Sequence, residues 1–249
     1  MRGRREIILV ALMVVVLVLA GRFLLFRETE IPVSIKVVSQ TSPPIFYVKT
    51  NEKKVAFTFD ISWGHKMAPK VLEVLREYDV RGTFFISGPW TKRHSDLARR
   101  IAEEGHEIGN HGHRHDNMSS YNREQIVENI QEAHAIIKEI TGQTPKYLRP
   151  PNGDYDDLVV ETAREYGYET VIWAVDSLDW KNPGVDYMIR RVKKRVFPGA
   201  IILFHASDSC KQTDQALPAI IQELRKEGYE ILTLSELLSL GEAGRDDPR

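Results

Sequence analysis

Five short clusters in this chain each place a chemically competent polar residue after an apolar run. Phe57-Thr58-Phe59-Asp60 ends in a carboxylate, and Asn110-His111-Gly112-His113-Arg114-His115 sets histidines four residues apart. Arg149-Pro150-Pro151-Asn152-Gly153 opens on a guanidinium, Asp176-Ser177-Leu178-Asp179-Trp180 joins carboxylates to an aromatic ring, and Leu203-Phe204-His205 closes on a lone imidazole. Together they supply a base, an imidazole pair for a divalent ion, a cation to hold the base and an acid with its partner. Metal-assisted hydrolysis needs these groups.

Each group also has a plainer structural role to set beside the chemical one. His111 and His115 are close enough in sequence to share one ion, because zinc readily takes neutral imidazole nitrogen. Two histidines are not a full catalytic set, and a pair at this spacing is more often surface. His113 is expected to face away from them by its offset. Asp60 suits a general base at the end of a strand, and Met67, seven residues on, is too far for Asp60 to cap a helix there. Arg149 holds Asp60 or makes a structural salt bridge. A backbone N–H near Asn152 is placed to face a developing oxyanion. His205 is a candidate general acid with Asp179 as its orienting partner, or a satisfied core histidine. Trp180 lines a sugar-binding wall or fills the core. Asn152, Trp180 and Leu203 are the candidate substrate contacts.

Periodicity gives the elements that must position these groups. From Lys54 onward, apolar runs at 55–59, 82–86, 107–110, 147–149, 170–175, 200–204 and 230–234 read as strands. Amphipathic stretches at 68–78, 96–104, 123–140 and 156–166 read as helices between them. Such alternation predicts parallel pairing with right-handed crossovers, in a doubly wound sheet or a barrel. All five clusters fall at the C-terminal ends of different strands. A barrel gathers many such ends around one mouth, whereas an open sheet favours one switch point. The expected fold class is α/β, an irregular seven-stranded (β/α) barrel with a short N-terminal extension.

Composition fits one catalytic domain: 249 residues, 42% hydrophobic and 28% charged, give ample core material. A formal net charge of −1 offers no concentrated positive field, so nucleic acid is not an expected partner and a neutral substrate fits better. Cys210 is the single cysteine, which excludes an intrachain disulfide. Arg2, Arg4 and Arg5 precede an apolar run at 7–20, followed by Gly21, Arg22 and a second patch at 23–26. This pattern predicts a signal anchor, or alternatively a cleaved signal peptide. The catalytic part would then lie outside the cytoplasm, on the membrane or secreted. The expected plan is an anchor or signal peptide at 1–27, a linker with short strands at 28–50, a catalytic domain at 51–240 and a flexible tail at 241–249. Oligomeric state is not legible.

In order and spacing the clusters resemble the polysaccharide deacetylase family (NodB homology, carbohydrate esterase family 4) over roughly residues 50–240. The stretch from Phe57 to Gly64 also resembles the sporulation-type bacterial subgroup. The resemblance implies an irregular (β/α) barrel that removes acetyl groups from glycans such as peptidoglycan or chitin with a divalent metal, zinc first, cobalt or another ion second. It implies Asp60 as base, His111 and His115 as metal ligands, Arg149 as tether of the base, Asp179 as tether of His205, and His205 as acid. The chain departs from the family pattern at Ile61, where a second, metal-binding aspartate is usual, and at Asn152, where tyrosine is common. His65, Asp60 itself or water would have to replace the missing acid. The alternative function is a catalytically impaired glycan-binding protein on the same fold.

Overall fold

The computed structural model describes residues 42–249; the apolar run at 7–20 and the alternating stretch at 33–38 lie outside the described residues. Among the described residues no helix is long and apolar enough to cross a membrane.

The second strand shows how the sequence builds the barrel. After β1 (Tyr47–Lys49), β2 (Lys54–Ile61) is buried along nearly its whole length, as a central parallel strand covered on both faces must be. Val55, Phe57, Phe59 and Ile61 belong to the apolar cluster between strands and helices, whereas Ala56 belongs to the cluster filling the barrel interior. The two-residue period therefore turns Thr58 and Asp60 inward. On the outer face Phe59 is in register with Phe84 of β3 (Thr83–Ile86) and Phe204 of β8 (Ile201–His205). Its ring stacks on theirs at 4.8 and 5.5 Å. Burying each such ring stabilises the fold by about 2–3 kcal/mol.

The parallel sheet runs in the order β6 (Glu169–Thr170), β5 (Tyr147–Leu148), β4 (Glu107–Asn110), β3, β2, β8 and β7 (Val175–Asp176), with β9 (Glu230–Leu232) pairing with the start of β2. All seven expected strands are present, and the fifth divides. Residues 170–175 read as one strand, but Thr170 pairs with β5 at one edge of the sheet and Val175 with β8 at the other. One chain segment thus supplies both edges and curls the sheet closed. Between them Ile45 bridges to Val171, its N–H donating to Thr170 O and its carbonyl accepting from Ile172 N–H, both at 2.8 Å. The seam is the barrel's irregularity.

The helices α1 (Met67–Glu77), α2 (Gly88–Arg93), α3 (Ser95–Glu103), α4 (Arg123–Thr141), α5 (Asp157–Glu165), α6 (Val185–Arg195), α7 (Thr213–Lys226) and α8 (Leu234–Leu238) alternate with the strands. In α4 the Asn122–Gln125 capping box closes the N-terminus and Gly142, at φ +72°, ends the helix.

Both chain ends of the described part differ from expectation. Phe46 and Val48 alternate into the barrel interior, so residues 45–49 belong to the folded body rather than to a linker. The segment expected as a flexible tail forms β10 (Glu242–Gly244), antiparallel to β1. It is tied further by Tyr47 Oη donating to Asp246 at 2.7 Å and Arg245 to Glu169 at 2.9 Å. The tail satisfies the backbone N–H and C=O groups that the edge of β1 would otherwise leave unpaired.

Candidate active site

The C-terminal ends of β2, β4, β7 and β8, with the turns that follow them, surround a cavity of about 290 Å³. Asp60, His111, His115, Asn152, Gly153, Trp173, Asp176, Trp180, Leu203 and His205 all line it.

Asp60 is nearly buried, and its two oxygens differ. Oδ1 accepts from Arg149 Nη1 at 2.9 Å, while Oδ2 lies 3.8 Å from His111 Nε2. Burial alone would raise this carboxyl, but the Arg149 charge and its hydrogen bond outweigh it and hold the group below the usual range. Arg149 is fully buried at the centre of the barrel, its guanidinium 4.1 Å from the Phe85 ring centroid. It also donates to Thr58 Oγ1 at 2.9 Å, Ile172 O at 2.8 Å and Val171 O at 3.4 Å. Those two carbonyls lie on the seam between β6 and β7. Arg149 therefore holds Asp60 and satisfies carbonyls of the seam, a second task the sequence did not reveal.

The orientation of His111 follows from its partner. Its Nδ1 lies 2.7 Å from Arg149 O, and a carbonyl can only accept, so Nδ1 carries the proton. Burial pushes the ring down to about 4, so it is neutral near pH 7 and Nε2 presents a bare lone pair to the Asp60 carboxylate. Two electron-rich atoms facing each other at 3.8 Å suit a cation between or beside them. The His115 ring lies 5.2 Å from that of His111, and its pKa is also lowered by burial. Two buried asparagines clamp this loop: Asn110 Oδ1 accepts from Gly112 N–H at 2.8 Å, and Asn129 Oδ1 on α4 accepts from His113 and Arg114 N–H groups. His113 turns away to Glu132 at 3.4 Å, as its offset predicts. His65 does not join the set. It is exposed, packs beside His94 and is absent from the cavity wall, because its loop folds back toward Asp208.

The second half of the site is on β7 and β8. Asp60 and His205 are register partners on adjacent parallel strands, so both side chains point into the mouth from neighbouring positions. Asp179 is fully buried; Oδ1 meets His205 Nδ1 at 2.8 Å, and Oδ2 accepts from His205 N–H at 2.7 Å and Thr213 Oγ1 at 2.8 Å. Burial opposes protonation of His205, but Asp179 overcomes it and raises the imidazole to about 9. At neutral pH His205 is an imidazolium whose Nε2–H is free of Asp179. The Asp179, His205 and Cys210 ligand-type atoms come within 4.8 Å of one another, yet they suit no metal: the carboxylate already accepts three hydrogen bonds, His205 is protonated and burial raises the Cys210 thiol to about 12.

The remaining groups shape the mouth. Asp176 Oδ1 accepts from Leu178 N–H at 2.7 Å, holding Leu178 at φ +60°, an uncommon conformation for leucine that sends Asp179 inward and leaves Trp180 exposed on the rim. Asn152 adopts φ +59°, which asparagine tolerates; in its turn the Gly153 and Asp154 N–H groups bond back to Pro150 and Pro151. Gly153 is required because a Cβ there would come within 2.6 Å of Trp173. Ile61 borders the cavity, but its side chain is fully buried in the same outer cluster as Phe57 and Phe59. Sequence reasoning missed Thr58, Asn129, Trp173 and Thr213, each of which acts through a partner distant in the chain.

A profile of the polysaccharide deacetylase family matches residues 47–171. The chain belongs to this family. A peptidoglycan-N-acetylglucosamine deacetylase of Bacillus cereus is 37% identical over 206 residues, which cover 82% of this chain and 96% of the relative. The peptidoglycan-N-acetylmuramic acid deacetylase PdaA of Bacillus subtilis is 35% identical over 198 residues, 78% of this chain and 74% of that one. Among solved structures, a CE4 family pseudoenzyme from Bacillus anthracis aligns with a TM-score of 0.76 at 34% identity, covering 81% of this chain and 71% of the other. A mutant of that protein with restored enzymatic activity matches equally well. The α/β barrel expected from strand–helix alternation is the fold of this family. Its deacetylases depend on a divalent metal, and the His111–Asp60 arrangement fits one.

Proposed function

We propose that this chain removes N-acetyl groups from cell-wall glycan, peptidoglycan or a chitin-like polymer, with a divalent ion held by His111 and His115 and bordered by Asp60 Oδ2. The observation that carries this reading is the pairing of Asp60 and His205. They stand in register on adjacent strands and face one cavity, one held as carboxylate and the other as imidazolium at the same pH. Two neutral imidazoles beside a carboxylate suit zinc first and cobalt second. Bound there, the ion supplies Lewis acidity to the acetamide carbonyl and the attacking water. Asp60 takes the proton of that water at Oδ2, since Arg149 occupies Oδ1. The Asn152 N–H faces the oxyanion, and His205 donates from Nε2 to the departing amine. Trp180 and Leu203 hold the sugar. With Ile61 offering no ligand, fewer protein groups would hold the ion and its affinity would be lower.

Acetate release from peptidoglycan and from N-acetylglucosamine oligomers, after metal stripping and titration with zinc or cobalt, tests this. Metal-dependent release from either polymer is expected. Glycan binding with no acetate at any metal concentration would instead support the second reading, an impaired glycan-binding protein, which Ile61 and the likeness to a pseudoenzyme favour.

We also propose that residues 1–27 anchor the chain in the cell membrane with the catalytic part outside the cytoplasm, on the strength of the arginines and apolar run there. Retention in the membrane fraction after a high-salt wash is expected; recovery in the medium with residues 1–27 removed points to secretion.

A further inference from the structure

Four large apolar side chains stay exposed among the described residues, and two of them, Trp63 at 52% and Trp180 at 48%, line the same cavity. They come from the turns after β2 and β7. In the sheet those strands flank β8, which ends on His205 at the same cavity. The sequence leaves Trp180 as a sugar-binding wall or a core residue, and its exposure excludes the second. For Trp63, which lies in the stretch from Phe57 to Gly64, the sequence suggests no role of its own.

The main chain at Trp63 is tied down although half the residue's surface meets solvent. The N–H groups of Ser62 and Trp63 donate to Ser207 Oγ at 3.1 and 3.4 Å, and Asp208 N–H donates to Trp63 O at 3.2 Å. Next to it Gly64 takes φ +74°, where a Cβ would overlap the Asp208 carboxylate, and Gly64 O accepts from Trp90 Nε1 at 2.7 Å. The same carboxylate accepts from His65, Lys66 and Met67 N–H groups, which ties the turn to the start of α1. The indole packs over His115 at 4.4 Å between centroids. A half-exposed indole on a fixed turn beside a cavity costs the fold solvent-exposed apolar area and contributes little core burial, which marks a contact surface.

We propose that Trp63 is a stacking platform for a pyranose ring of the glycan, a second aromatic wall in the cavity that Trp180 lines, and that it gives the site its preference for extended oligomers over single sugars. The apolar C–H face of a sugar covers an indole without needing a hydrogen-bond partner, and the flat ring loses little freedom on contact. The proposal rests on the glycan-deacetylase reading for its substrate class, but not on turnover.

Calorimetry with N-acetylglucosamine hexamer and monomer, on the full chain loaded with zinc, tests it. Trp63→Ala is expected to weaken hexamer binding about fivefold, in line with roughly 1 kcal/mol for an aromatic contact. It is expected to leave the monomer little changed and to show its kinetic loss in KM rather than kcat. Trp63→Phe should recover most of the affinity. Zinc affinity, read by competition with an indicator, should match the unsubstituted chain in both variants. Undiminished hexamer binding by Trp63→Ala overturns the proposal, as does an unsubstituted chain that binds no oligomer. A parallel loss of zinc affinity also overturns it, since Trp63 would then merely cover His115. Hexamer binding that depends on Trp63 without acetate release would sink the deacetylase reading and leave the platform standing.

Discussion

Asp60 and Asp179 are both buried aspartates that partner a cation at the mouth of one barrel, yet they are built for opposite tasks. Asp179 has both oxygens committed, to the His205 ring and N–H and to Thr213. It can hold a proton donor in place, but with three hydrogen bonds accepted and the side chain fully buried it presents no oxygen to a substrate. Asp60 has one oxygen fixed by Arg149 and the other facing His111 across 3.8 Å. The difference teaches that a carboxylate is made chemically useful less by burial, which the two share, than by how many of its acceptor positions the fold leaves unused.

The sharpest way to break that contrast is Asp60→Asn. Acetate release should fall by about 10³-fold or more, the upper part of the range for general base catalysis. It should also leave the buried Arg149 charge unneutralised and cost about 3–5 kcal/mol in a urea melt. A variant that keeps near-normal turnover would remove Asp60 from the chemistry.

Asp179→Asn comes next, with about 10²-fold loss of acetate release at neutral pH. The pH profile should separate the two aspartates: the alkaline limb set by His205 near 9 should move toward the ordinary imidazole value of 6.5. Stability follows the same linkage. The folded value lies above the unfolded one, so the pair's contribution is complete below about 6.5 and is lost as pH rises through about 9. Urea midpoints at pH 6 and pH 10 should therefore differ by this contribution, and by less in Asp179→Asn.

Arg149→Lys keeps the charge beside Asp60 but cannot also reach the seam carbonyls, because an ammonium lacks the planar fork. A loss of about tenfold in acetate release with a lower melting temperature is expected. Full retention of both would show that charge alone matters there. The smallest effect on turnover is expected from Ile61→Asp, and its sign is informative. Zinc affinity should rise about tenfold or more. Stability should fall by about 1–3 kcal/mol, because the side chain now packs in an apolar cluster. Tighter metal with no stability loss would mean that position 61 can turn into the mouth at no cost.

Much of this was legible in the residues. Alternation along β2 put Asp60 on the inward face, and the five polar residues closing five apolar runs pointed to one barrel mouth. Proximity to Asp60 in the sequence makes His65 one of three stand-ins for the missing acid. The turn at Gly64 and the Asp208 carboxylate carry it to the outside instead. The tail at 241–249 looked free because its partner, β1, lies almost the whole chain away.

The sequence by itself determined the strand–helix alternation, the face on which each polar group stands, and the kinds of group available for proton transfer and metal binding. These depend on local periodicity and side-chain chemistry. Only the tertiary structure decided that Asp60 and His205, far apart in the chain, are register partners, that Arg149 bridges the base to the barrel seam, that His111 must bare Nε2, and that Trp63 and Trp180 line one cavity. Each of those facts depends on which strands become neighbours when one segment closes the sheet. That choice is made by packing the whole core, and no local stretch of sequence carries it.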